Sequence, residues 1–353
     1  MGSALRRGGG RVPRRKPAPL KPGDLVAVVA PAGPVREKAL AGGVKVLESL
    51  DFRVALDPGL TARKGYLAGP DEARAEALNK ALADPDVRGV FCARGGYGSS
   101  RILGLIDYAA VRDDPKVFVG YSDITALHLA LAREAGLVTF HGPGVESLGE
   151  KLTRFTLDCL VRAVTSTDPL DVLPLPEDRP AGEVLSAGRA SGPLTGGNLS
   201  LLSALMGTPY EVDTRGAVLL IEDVREEPYR VDRMLTQLTL AGKLASAAAV
   251  AVGEMVDCTT GRGRPEPGSP EGGGRAPYED EAETPTGDEA GDLVSVDDVL
   301  ADRLAGLGRP VLGGLPFGHG YDKWTLPLGV TATVDAYKAR LIVEEAACAG
   351  DGS

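Results

Sequence analysis

Ser122 stands in the run Gly120-Tyr121-Ser122-Asp123-Ile124. Before it, Lys116–Gly120 reads as a short buried β-strand; after it, Ile124, Leu127 and Leu131 recur at helical spacing. A serine at a tight strand-to-helix turn holds its hydroxyl beyond the C-terminal edge of a sheet. The first amides of the helix, which lack partners inside it, then face any oxyanion formed beside that hydroxyl. The run is not the G-x-S-x-G of α/β-hydrolases, and serine at a helix start is also an ordinary N-cap. Acyl chemistry at Ser122 therefore requires a base and an orienting acid from elsewhere in the chain. The chain has three histidines. His128 lies well up the helix between Leu127 and Leu129 and reads as a core residue. His141 ends a strand at Leu137–Phe140, and His319 lies between two glycines after a strand at Pro310–Leu315, so both stay open as the base. For the acid, Glu222 and Asp223 end the apolar strand Ala217–Ile221, where they are either solvated or aimed into a site.

A second loop could serve the same chemistry. Ala93-Arg94-Gly95-Gly96-Tyr97-Gly98-Ser99-Ser100 follows the strand Gly89–Cys92, at the end of a strand where open α/β sheets place ligands. Its glycines permit close backbone approach and amides turned towards an anion; a tight turn is the plainer alternative. It has no lysine for a Walker-type phosphate cradle, and Pro31-Ala32-Gly33-Pro34 lacks the G-x-G-x-x-G spacing of a nicotinamide site. Four scattered cysteines without a C-x-x-C pair suit reduced thiols in a cytosolic protein, and H-E-x-x-H is absent. No cofactor and no metal are expected.

These loops need a scaffold, and the pattern supplies one. From Asp24 strands and helices alternate: strand Leu25–Ala30, a helix with Leu40, Val44 and Leu47 on one face, strand Phe52–Leu56, helix Asp71–Leu82. The predicted fold is α/β: a parallel-sheet domain over 23–165 carrying the serine, a linker over 166–182 with four prolines, and a mixed, β-rich domain over 183–345. The first 22 residues hold seven Arg or Lys and no acid, and read as a disordered basic tail; 346–353 reads as a second tail. Residues 259–292, rich in Gly, Pro and Glu and without periodicity, read as a disordered acidic insert. No apolar run reaches the roughly 20 residues needed to span a membrane, and the basic tail lacks the apolar segment of an export signal. Outside tail and insert the balance is acidic, which argues against nucleic acid as a partner.

An ordered series of short motifs completes the reading: A-R-G-G-Y-G (93–98), G-Y-S-D-I-T-A-L-H (120–128), H-G-P (141–143), L-T-G-G-N-L (194–199), G-T-P-Y (207–210), L-L-I-E-D-V (219–224), Y-R-V-D-R-M-L-T-Q-L (229–238) and G-H-G (318–320). Collinear over residues 22–345, the series resembles the LD-carboxypeptidases, or muramoyltetrapeptide carboxypeptidases, a family that also includes the microcin C immunity peptidases. The resemblance implies a triad of Ser122, Glu222 and His319, and an oxyanion hole from the amides of Asp123 and of Gly96, with Gly95 as the alternative. It implies hydrolysis of the bond before the terminal D-alanine of peptidoglycan stem tetrapeptides during cytoplasmic wall recycling, by a homodimer. Arg94, Arg225 and Arg230 are candidates for the substrate carboxylate, with Tyr97 and Tyr121 as further substrate contacts. Cleavage of a peptidyl-nucleotide is the alternative activity, and a wall-peptide binder without turnover is the alternative class.

Overall fold

The computed structural model describes residues 12–260 and 294–350. Five strands of the first half, β1 (Leu25–Val29), β2 (Arg53–Leu56), β3 (Val87–Cys92), β4 (Val117–Gly120) and β5 (Thr139–His141), pair in parallel in the order β2-β1-β3-β4-β5. Parallel neighbours require crossovers, which here include the helices Glu37–Ser49, Asp71–Ala83 and Thr125–Glu134. β3 and β4 are adjacent, so the glycine loop and the Ser122 turn leave neighbouring strand ends.

The second half contributes β6 (Asp171–Val172), β7 (Glu183–Ser186), β8 (Arg189–Asn198), β9 (Val218–Val224), β10 (Ala249–Val256), β11 (Val311–Gly313), β12 (Leu326–Leu328), β13 (Thr331–Asp335) and β14 (Arg340–Val343). Eight of these nine form a mixed sheet in the order β6-β14-β13-β8-β9-β10-β11-β7, with β8 to β11 parallel and the flanking pairs antiparallel. The exception is β12, which crosses to the first sheet and pairs antiparallel with β5 at its edge. Pro327 fits there because an edge position needs no N–H for a ladder bond.

Both sheets are buried on two faces. Val26 and Val28 join one apolar cluster and Ala27 and Val29 the other; on β9, Leu220 joins the first, Leu219 and Ile221 the second. Each cluster draws residues from both halves of the chain. At the ends, the structure corrects the two expected tails over 12–22 and 346–350, while 1–11 and 351–353 lie outside the described residues. From Val12 onwards the N-terminal segment is packed: the Arg15 amide donates to the Gly136 carbonyl, the Val138 amide donates to the Arg15 carbonyl, and Leu20 is buried in the core. At the other end Ala347 and Cys348 are buried and the Ala349 amide donates to the Pro17 carbonyl, so the two segments close on each other. The expected linker carries β6, flanked by the buried Leu170 and Leu173. The acidic insert, beyond Thr259 and Thr260, lies outside the described residues. No helix among the described residues is long and apolar enough to cross a membrane.

Candidate active site

Ser122 follows the fully buried β4 and opens a short 3-10 turn, Ser122–Ile124, which runs into the helix Thr125–Glu134. Its φ of 64° lies in the left-handed region, unusual for a residue with a side chain and costing about 1–3 kcal/mol, which the flanking strand and helix must offset. The result is a sharp turn with the hydroxyl at its tip. Ser122 Oγ lies 3.0 Å from His319 Nε2, and His319 Nδ1 lies 2.6 Å from Glu222 Oε2. Both distances suit the proton arrangement of a general base, in which the serine hydroxyl donates to Nε2 and Nδ1–H donates to the carboxylate. Such a relay can take the hydroxyl proton as the oxygen attacks and leave the positive imidazole beside a negative group.

Glu222 is fully buried on β9, opposite Asn198 of β8. Burial opposes its charge; the attraction of His319, then contacts with His141 and His319, outweighs that and holds the carboxyl well below the ordinary carboxylate range. Asp223 has a different job. Its Oδ1 accepts from Asn198 Nδ2 and the Val224 amide, its Oδ2 from the Ser200 amide and hydroxyl, at 2.8–2.9 Å, so it knots β8 and β9 to the start of the helix Leu199–Ala204. Burial, then the charge of Glu222, pushes its carboxyl upwards. His128 is a core residue between Gly120 O and Thr139 Oγ1. His141 is buried and its Nε2 lies 3.8 Å from Glu222 Oε1, the oxygen that His319 does not engage.

The glycine loop packs directly on the serine turn. A Cβ at Gly95 would lie 2.8 Å from Ser122 Cβ and 3.2 Å from the Asp123 amide nitrogen, so only glycine allows this approach. Asp123 Oδ2 accepts from the Ser99 amide at 2.8 Å, and the Asp123 carbonyl accepts from the Ser99 hydroxyl. That pair of bonds locks the two loops together, and burial, its largest influence, pushes the Asp123 carboxyl upwards despite them. Gly96 is exposed in this loop with φ at 110°.

The other candidates spread around this centre. Arg94 is one-third exposed, its Nη1 3.3 Å from Pro34 O and 3.8 Å from the buried Glu146, a carboxylate already held by Arg36. Tyr121 packs its ring 5.0 Å from that of His319 and bonds Ser147 through its hydroxyl at 2.9 Å, forming a wall of the site. Tyr97 is exposed and meets Tyr66 edge-on at 5.5 Å. Arg225 is exposed past β9, and Arg230 faces Glu226 and the Tyr229 ring. Three supports escaped the sequence reading: Ser99; Thr125, whose Oγ1 accepts from the Asn198 amide across the two halves; and Lys323, which donates to the Gly320 carbonyl and lies 5.9 Å from the Tyr121 ring. Polar residues in otherwise apolar or glycine-rich runs were the available signal for the first two. Among the described residues, no group of three or more His, Cys, Asp or Glu converges on a position that could hold a metal ion.

Comparison with known proteins places this geometry in context. Residues 26–142 match the model of the LD-carboxypeptidase N-terminal domain, and residues 191–334 that of the LD-carboxypeptidase C-terminal domain. The chain is 38% identical to the probable murein peptide carboxypeptidase of Bacillus subtilis (strain 168), over 93% of this chain and 94% of the relative. It is 30% identical to the muramoyltetrapeptide carboxypeptidase of Oxalobacter formigenes, whose crystal structure matches with a TM-score of 0.70 over 91% of this chain and 99% of that one. The microcin C7 self-immunity protein MccF of Escherichia coli is 27% identical over 93% of this chain and 95% of the relative. Its wild-type apo structure, aligned at 25% identity over 95% of this chain and 100% of that one, matches with a TM-score of 0.81.

Proposed function

Because the chain belongs to the LD-carboxypeptidase family and is a serine-type carboxypeptidase, we propose that it removes the terminal D-alanine from peptidoglycan stem tetrapeptides in cytosolic wall recycling. The observation that carries this reading is the run of contacts from Ser122 Oγ through His319 to the buried Glu222, at 3.0 and 2.6 Å. Ser122 attacks the carbonyl carbon of the L–D peptide bond while His319 Nε2 takes its proton. The oxyanion is held by the amides of Asp123 and Gly96; losing one such donor typically costs about 10²- to 10³-fold in rate. As the C–N bond breaks, His319 returns the proton to the leaving D-alanine amine. Water, deprotonated by His319, then cleaves the ester, and the proton passes back to Ser122. Glu222 keeps Nδ1 protonated and balances the imidazolium in both halves of the cycle.

The leaving residue carries a free carboxylate. Arg94 is our assignment for it, because Arg94 precedes the glycine packed on Ser122 and keeps part of its guanidinium exposed. The likeness to MccF, at a TM-score of 0.81, favours a second reading, cleavage of a peptidyl-nucleotide at the same serine. Mass spectrometry of a muropeptide tetrapeptide incubated with the protein and with Ser122→Ala separates the two. The proposal expects loss of one alanine in the first tube only. An intact tetrapeptide beside a cleaved peptidyl-nucleotide would replace it with the second reading, and light scattering of the same samples tests the homodimer.

A further inference from the structure

Glu222 carries a polar atom that the relay does not use. Oε2 meets His319, whereas Oε1, equally buried, has no hydrogen-bond partner, and neither do the two ring nitrogens of His141. An ionised oxygen shut away from water needs a donor, and two adjacent buried polar groups left open together are rare in folded proteins. The surroundings leave few choices. His141 is edged by the rings of Tyr121 at 6.3 Å and Phe317 at 6.1 Å; His128, with its ring 6.3 Å away, has both nitrogens committed to Thr139 and Gly120. Gly197 closes the remaining side, where a Cβ would sit 3.3 Å from His141 Cδ2. Of the acceptors around His141, Glu222 Oε1, 3.8 Å from Nε2, is the ionised one that lacks a donor.

We propose that His141 is a positioning residue for the triad: its Nε2–H donates to Glu222 Oε1 in the working enzyme, so that one imidazole holds each oxygen of the catalytic carboxylate. The gap is less than 1 Å beyond a good hydrogen bond, a closure within reach of a side-chain rotation. His141 ends β5, the strand that β12 joins from the second half, so the residue that steadies Glu222 sits where the halves are stitched together. With the carboxylate fixed at both oxygens, Nδ1–H of His319 has a single acceptor geometry, and the imidazole faces Ser122 squarely. No bond to substrate is formed, and the proton count of the reaction is unchanged.

The inference rests on the serine acyl-transfer reading but not on its substrate, and its test uses two readouts for that reason. His141→Phe removes the donor and keeps a ring; His141→Gln restores an N–H close to the place of Nε2. The expected result is a kcat about 10- to 100-fold lower for His141→Phe, the scale of a small misplacement in an active site. KM and Tm should stay near wild type, and His141→Gln should recover most of the loss. Labelling of Ser122 by a fluorophosphonate, followed by intact mass, should slow in the same order whatever peptide the enzyme prefers. A His141→Phe protein that turns over and labels at the wild-type rate would overturn the proposal. So would equal losses in both variants accompanied by a lowered Tm, which would make His141 a packing residue. If the tetrapeptide stays intact while wild-type labelling still outruns that of His141→Phe, the substrate reading fails and the positioning role stands.

Discussion

A carboxylate with no exposed surface keeps its charge only where its neighbours favour the ion over the acid. Glu222 meets that condition, since attraction from His319 and His141 outweighs the burial that opposes it. The sign for stability follows. The folded-state pKa lies below the ordinary 4.5, so the unfolded chain binds this proton more readily. The stability contributed is fully present above that ordinary value and is lost as pH falls through the lowered one. Urea unfolding of wild type and Glu222→Gln should therefore differ most near neutrality and converge as the pH is lowered below about 4. A gap that widens with acid would contradict the assignment. On the rate side Glu222→Gln should cost on the order of 10⁴-fold in kcat, the scale seen when a triad acid becomes an amide. At this scale the serine was legible because strand, turn and helix are local. The partners were not: Ser122 and His319 are 197 positions apart, and the residues alone leaned towards His319 while leaving His141 open as the base, until the resemblance carried by the motif series chose His319.

Short loops at strand ends convert these residues into a site, and their glycines are where the backbone geometry shows. Gly318, on the turn before His319, has φ at 95°, and a Cβ there would lie 2.7 Å from Glu222 Cγ and 2.8 Å from its Cβ. Gly318→Ala must either push Glu222 out of line or shift the turn that carries His319. The expected outcome is a kcat about 10²-fold lower with far-UV circular dichroism unchanged, the cost of misplacing groups by about 1 Å. Activity close to wild type would mean that the turn relaxes without moving either partner. Gly95 allows the same argument from the other side, since its contact is Ser122 itself. Most strands and long helices were readable from apolar runs and helical periodicity, as with β4, β9 and the helix Glu37–Ser49. The short pieces were not. Leu326–Leu328 contains a proline, and only the edge position beside β5 makes it a strand. Glu183–Ser186, half exposed, owes its pairing to β11. Lys16, Lys21 and the arginines around them gave residues 12–22 a tail-like composition, yet Leu20 and the backbone bonds of Arg15 anchor them.

Ser122 comes from the first half and His319 and Glu222 from the second, so the geometry of the proposed triad is a property of the whole chain. Three kinds of contact hold the halves in register. The first is strand exchange, with β12 on β5. The second is polar: Asn198 N to Thr125 Oγ1 at 3.0 Å, and Lys323 N to Thr156 Oγ1 at 3.0 Å. The third is the shared apolar core, whose two clusters each mix residues from both sheets. Units that share a core lose stability together, so the chain should unfold in one step even though two family domains can be named along it. Trp324, the single tryptophan, is placed to test this. It is buried between two contacts that cross from one half to the other, the Lys323 amide on Thr156 Oγ1 and β12 on β5, so its fluorescence reports the seam between the halves. Far-UV circular dichroism reports both sheets. In urea the two signals should share one midpoint, and activity should vanish along the same curve. An earlier tryptophan transition would show the seam opening while the sheets persist. The triad would then depend on a docking equilibrium, and the activity curve would follow the fluorescence and depart from the circular dichroism.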